Sequence, residues 1–148
     1  MFLNTDLRSP VGIAIHEEGA LLVAKCGSNS IVEVTPNGEP YTICTSKLLS
    51  CPNGIVLGPD GRAYVCNFNN GAVIAIDING SATKLVTLPG NNNGHLTIHD
   101  GCLFVVASGA HQIYKVTLDG KTELFAGSGK RGRDGGPALE ATFRPRPG

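Results

Sequence analysis

The 148-residue sequence has no tryptophan and one methionine, and aromatic residues make up only 5% of it. Flat surfaces on which nucleic-acid bases could stack are therefore scarce. Charge of one sign is also missing. Twelve basic and twelve acidic side chains cancel, leaving no global field to draw in nucleic acid or an anionic membrane. No apolar run approaches a membrane span, and the opening MFLNTDLRSP lacks the apolar core of a signal peptide. A cytoplasmic location without membrane partners is the resulting expectation. The five cysteines are odd in number and lack CxxC spacing, which argues against a full disulfide framework. Cys66 aligns with small apolar positions and reads as a core residue. Cys44 and Cys51 flank one connection; reduced thiols are expected there, with a pair between them as the alternative.

What the chain does have is glycine, twenty of them, and a repeat. Gly12 to Gly38, Gly54 to Gly80 and Gly94 to Gly120 are ungapped copies of one pattern, their first glycines 42 and 40 residues apart. Gly19, Gly61 and Gly101 share one column of the repeat. Val23, Val65 and Val105 share another, as do Ile31, Val73 and Ile113. Within a copy the apolar period is two. In AVIAID, Val73, Ala75 and Asp77 face one way, and Ile74 and Ile76 the other. Strands apolar on both faces must be covered on both sides. Turn sequences such as PDG at 59–61 join the strands, with glycine supplying positive φ. A weaker fourth strand follows each third one, at 40–44, 82–88 and 121–126.

Four antiparallel strands in a unit of about 40 residues describe a propeller blade. The fold class is therefore all-β, with three blades at about 9–50, 51–90 and 91–126. An inter-blade insertion follows at 127–147, and a fourth blade is expected to begin at Gly148. Closed propellers typically have four to eight blades. Three would leave two sheet faces without a neighbour, so the chain reads as part of a larger propeller. The expected partners for those faces are further blades or a second copy of the chain.

The pattern P-x-G-I-A … G … L-x-V-A … I … V … G resembles the NHL repeat and its relatives among six-bladed propellers, over roughly residues 9 to 148. These relatives include the gluconolactonase family and the streptogramin lyases. DGGPALEATFRPRPG at 134–148 is similar to the long inter-blade connection of bacterial NHL proteins, and Pro137 suits the first turn of a short helix there. Pro147 and Gly148 restate a blade opening. The resemblance implies the fold. It leaves the activity open, because that scaffold carries enzymes and binding platforms alike.

In such propellers, function gathers on the face holding the loops between second and third strands and the connections leading into first strands. Asn29, Asn53, Asn67, Asn69, Asn70, Asn91, Asn92, Asn93, His95 and His111 map there. A polar rim of this kind suits a protein or small-molecule ligand, or a hard cation. Asparagine also tolerates left-handed turns and collects in loops for that reason alone. The resemblance to the lactonases singles out Asn53, in CPNGI, as a metal ligand for calcium or another divalent ion. Those enzymes also need carboxylates. Asn67 stands where an aspartate is wanted, and the equivalent Lys25 and Ala107 serve no better.

His95 and His111 are placed to approach one another, but two imidazoles make an incomplete zinc site. Gly127 to Gly132 matches GxGxxG, yet it sits in an all-β repeat without the βαβ setting a dinucleotide needs. Lys130, Arg131, Arg133, Arg144 and Arg146 form the one basic cluster. Phe143 is its only nearby aromatic, and Asp134 and Glu140 dilute it, so a nucleic-acid partner is not expected. The leading expectation is a non-catalytic binding platform. The alternative is part of a metal-dependent propeller hydrolase or lyase.

Overall fold

A computed structural model describes residues 7–144. Twelve strands form three four-stranded antiparallel sheets, each a meander in chain order. The first blade holds β1 (Pro10–Ile15), β2 (Leu21–Lys25), β3 (Ser30–Val34) and β4 (Pro40–Cys44). The second holds β5 (Pro52–Leu57), β6 (Ala63–Asn67), β7 (Ala72–Ile76) and β8 (Ala82–Thr87). The third holds β9 (Leu96–His99), β10 (Cys102–Ala107), β11 (Gln112–Thr117) and β12 (Thr122–Ala126). The three weak fourth strands thus form where the repeat placed them. The blade expected to open at Gly148 lies outside the described residues, as does Arg146 of the basic cluster.

The period of two translates directly into packing. Ile74 and Ile76 point into a core shared with Leu22, Ala24 and Ile31 of the first blade. Val73 and Ala75 point the other way, into a core shared with Leu103, Val105 and Val116 of the third. The middle blade is consequently buried on both faces: every residue of β6 and β7 is buried. Each fully buried aliphatic side chain contributes roughly 1.5–3 kcal/mol relative to an exposed one.

Register makes the outer faces comparable with the inner ones. Ile13, Ile55 and Leu96 pair with the equivalent Val23, Val65 and Val105. Ile55 is 5% exposed because the first blade covers it, whereas Ile13 is 64% exposed. Two residues along, Ile15 is 77% exposed, while Leu57 and Ile98 pack against the inter-blade cores. On the opposite faces, Ala24 and Cys66 are fully buried by the blade that follows, and their equivalent Val106 is 41% exposed. Phe104 lies on that same open face and meets Phe125 edge-to-face at 5.0 Å.

A register shift recurs at one place in every blade, between third and outer strand: Ile31/Val32, Val73/Ile74 and Ile113/Tyr114. The outer strands are mostly exposed.

At the hairpin end, the Asp60 carboxylate accepts hydrogen bonds from Tyr64 Oη at 2.6 Å and Arg62 Nε at 2.9 Å. Arg62 Nη2 reaches across to the Leu118 carbonyl of the third blade at 3.2 Å. Desolvation pushes the Asp60 carboxyl up, but the hydrogen bonds from Tyr64 and Arg62 and the guanidinium charge outweigh it and hold it below its ordinary value. Burial, aided by Asp60, pushes the Tyr64 hydroxyl up to about 12.

Cys66 is fully buried, as its column implies. Desolvation pushes its thiol from 9.0 up to about 12. The unfolded chain releases this proton above about pH 9 while the folded chain retains it, so stability falls as pH rises. Urea melts at stepped pH should show about 1 kcal/mol lost per pH unit above 9, and a Cys66→Ala variant should lose the part of that slope due to the thiol.

One expectation is corrected. Cys51 is not a reduced thiol, nor is it paired with Cys44: it forms a disulfide with Cys26, joining the first blade's β2–β3 turn to the lead-in of the second blade. Cys44 is instead a buried free thiol in the core between those blades. Neither the spacing of the cysteines nor the repeat marks Cys26 as a partner; blade packing brings together residues 25 apart. No helix among the described residues is long and apolar enough to cross a membrane. The short helix expected after Pro137 is a single turn, in which the Pro137 carbonyl accepts from Glu140 N at 2.9 Å and Ala141 N at 3.0 Å.

Candidate functional site

The loops after β2, β6 and β10 and the connections into β5 and β9 meet at one end of the blades. They do so because each lead-in runs beside its own blade's second loop, and the lead-in to the third blade also touches the second loop of the preceding one. Phe68 N donates to Cys51 O at 2.9 Å, and Asn69 N to Ser50 O at 3.3 Å. Asn93 N donates to Asn67 O at 3.2 Å, and Gly109 N to Asn92 O at 3.3 Å.

Most of the asparagines expected on a ligand rim are held by these crossings. Asn29 Oδ1 accepts from Cys51 N at 2.7 Å. The Asn53 amide donates to the Gly94 carbonyl. Asn67 is fully buried, and its Nδ2 donates to Leu48 O at 2.7 Å and Asn70 Oδ1 at 3.1 Å. Asn70 Oδ1 also accepts from Ala72 N at 3.1 Å. Asn92 Nδ2 donates to Phe68 O at 2.7 Å, and the fully buried Asn93 donates to Ala72 O at 3.1 Å. Asn69, Asn91 and His95 stand exposed. The rim is thus two sets: amides that tie adjacent blades, and a few side chains open to solvent.

Left-handed backbone marks the same crossings. Ser9, Cys51 and Asn91 occupy equivalent lead-in positions with φ of 50°, 50° and 57°. Asn29, Gly71 and His111 occupy equivalent loop positions with φ of 48°, 69° and 56°. This second column was not recognised in the sequence; the signal was the 42- and 40-residue spacing of Asn29, Gly71 and His111.

His111 also borders a half-open recess of about 240 Å³ on the open side of the third blade. Val106, Ile113 and Phe143 give it apolar walls; Ser108, Gln112 and Arg144 give it a polar margin. His111 Nδ1 is buried without a hydrogen-bond partner. His95 does not line this recess, so the two histidines expected to approach one another do not share it.

Asn67 Oδ1 and Asn93 Oδ1 are also buried and unpartnered. Carboxylates supply most of the attraction for hard cations, and no group of three His, Cys, Asp or Glu among the described residues is placed to hold a metal. The donors here therefore do not by themselves fit a divalent ion.

Residues 49–75 match the NHL repeat. No curated protein matches the sequence. Solved structures do resemble it. A virginiamycin B lyase from Staphylococcus aureus is 22% identical with a TM-score of 0.72, over 83% of this chain and 43% of that one. An auxiliary nutrient binding protein from Bacteroides ovatus is 17% identical with a TM-score of 0.76, over 94% and 37%. A gluconolactonase from Xanthomonas campestris is 14% identical with a TM-score of 0.67, over 80% and 48%. The chain thus spans less than half of each. At these identities the likeness shows the fold, a set of β-propeller blades.

Proposed function

We propose that this chain is an NHL-type propeller segment whose loop face serves as a non-catalytic binding platform. The observation that carries the reading is the engagement of the asparagine amides. Asn29, Asn53, Asn67, Asn92 and Asn93 are held by backbone groups of neighbouring loops, so they stiffen the face instead of converging on a reacting atom. Asn69, Asn91 and His95 remain as exposed contact groups. A stiff polar surface of this sort suits a protein or small-molecule ligand, because little ordering is left to be done on binding.

The competing reading is a segment of a metal-dependent lactonase or lyase. Its support is the pair of unclaimed buried oxygens, Asn67 Oδ1 and Asn93 Oδ1, and it requires carboxylates from outside these residues. Thermal melts separate the two. A site-specific ion binding only the folded state at a hundred times its Kd adds about 2.7 kcal/mol, a shift of several degrees. Millimolar calcium, zinc or magnesium is expected to move Tm by less than about one degree. A shift of several degrees, or turnover of a sugar lactone, would favour the enzyme.

A further inference from the structure

The junction between the first and second blades and the junction between the second and third share their columns, yet only the later one is filled at the hairpin end. Equivalent residues lie 42 apart from the first blade to the second, and 40 apart from the second to the third. The backbones agree closely. His16 N donates to Ala20 O at 2.8 Å, as Gly58 N does to Arg62 O. Asp77 N donates to Ser81 O at 2.9 Å, as Thr117 N does to Lys121 O. The side chains differ. In the later junction Tyr64 is fully buried, and Arg62 lies over its ring at 5.3 Å while donating to the Leu118 carbonyl. In the earlier junction Leu22 stands for Tyr64, Ala20 for Arg62 and Ile78 for Leu118.

What the smaller residues leave is a recess of about 70 Å³ between the first two blades, at the end remote from the asparagine loops. Leu22, Ile43 and Leu57 give it an apolar lining; His16, Glu33 and Asp77 give it a polar one. Both carboxylates are particular to this junction, since the later one has Ala75 and Thr117 in their columns. The earlier junction therefore lacks the cation and carries two anions instead. Glu33 Oε2 meets His16 Nδ1 at 3.5 Å. Among the described residues no cationic side chain pairs with Asp77.

We infer that this recess receives the guanidinium of an arginine side chain on a partner protein, seated as Arg62 seats itself in the next junction. The guanidinium donates to the Ile78 carbonyl, in place of the bond from Arg62 to Leu118, and to the Glu33 and Asp77 carboxylates. Its methylene stem lies along Ile78, which lines the recess and is 94% exposed. A planar fork of five N–H donors reaches acceptors on two blades at once, whereas a lysine ammonium offers three donors from a single point. A bare metal ion does not suit the recess, because no three His, Cys, Asp or Glu side chains among the described residues are placed to hold one. The site lies at the opposite end of the blades from the loop face, so it stands or falls separately from the ligand proposed there.

Titration of the isotope-labelled 148-residue chain with N-acetyl-arginine methylamide, followed by backbone amide NMR shifts, tests this. Saturable shifts are expected at His16, Glu33, Asp77 and Ile78. The citrulline analogue, neutral and of nearly the same shape, should give none. The lysine analogue should bind about tenfold more weakly. Free L-arginine should bind no better than the capped form, because nothing in the recess matches its α-carboxylate; a clear gain in affinity would make the free amino acid the ligand and overturn the protein partner. Glu33→Gln and Asp77→Asn, neither at a buried position, should each weaken the capped arginine about tenfold while leaving the rest of the spectrum unchanged. Ala20→Arg supplies a guanidinium from within, on the pattern of Arg62, and should abolish binding of the probe. If that variant does not fold, the two carboxylate variants decide. Shifts that never saturate, equal binding of the lysine and arginine probes, or carboxylate variants that bind like wild type would overturn the inference.

Discussion

Reduction of the Cys26–Cys51 disulfide is expected to lower Tm by about 10 °C. The bond closes a loop of 25 residues, and constraining the unfolded chain over that length is worth about 3 kcal/mol. A domain of this size moves by about 3 °C per kcal/mol. The effect should be concentrated between the first two blades, because Cys26 follows β2 and Cys51 leads into β5. Melts followed by circular dichroism, with and without a phosphine reductant, are the measurement, since the chain has no tryptophan to report by fluorescence. The double variant Cys26→Ser, Cys51→Ser should melt at the reduced temperature and be indifferent to reductant. If wild-type Tm moves by less than about 2 °C on full reduction, the bond does not hold these blades together.

Gly90→Ala should be at least as damaging, at about 3 kcal/mol or more. Gly90 has φ of +85°, where an L side chain is strained. A Cβ there would also lie 2.3 Å from Ala110 N and 2.4 Å from Gly109 C. Both atoms are backbone, so no rotamer change relieves the overlap. A Cβ on Gly109 would meet the Gly90 carbonyl oxygen in turn. The connection into the third blade and that blade's β10–β11 loop therefore cross with room for hydrogen only. Gly38→Ala is the control: its φ is +85°, but nothing lies within 4 Å of the added carbon. It should show the backbone penalty alone, about 1–2 kcal/mol. Equal urea midpoints for the two variants would mean that the crossing yields under strain.

How much of this was visible in the letters follows from what repeats. Columns such as Val23, Val65 and Val105 report strand position, because every blade solves the same packing problem in the same register. The opposed faces of Val73 and Ile74 follow from strand period alone, and the structure places them in separate cores. The burial of Cys66 follows from its column in the same way. Contacts that differ between blades were not legible. Cys26 has no cysteine at the equivalent Phe68, so nothing periodic points to its pairing with Cys51. The asparagines were read as one rim because their residue type is shared. Their roles separate only when the lead-in strands cross: Asn92 and Asn93 are adjacent in sequence, yet they donate to Phe68 and Ala72. Side-chain chemistry fixed what each could bond, and the crossing decided what was within reach.

The recurring shift between third and outer strand bears on how this protein avoids unwanted company. Each outer strand has a neighbour on one side only, and an unpaired row of backbone amides and carbonyls is a template for another chain. An extra residue against the partner strand bends and twists that row. Pro40 at the start of β4 has no N–H to offer, and Lys84 and Glu123 place charge on β8 and β12. The rims of the blades are thereby poor seeds for cross-β stacking, even though their faces are strongly apolar. Crowding or partial heating should drive such blades together face to face long before it strings them into amyloid.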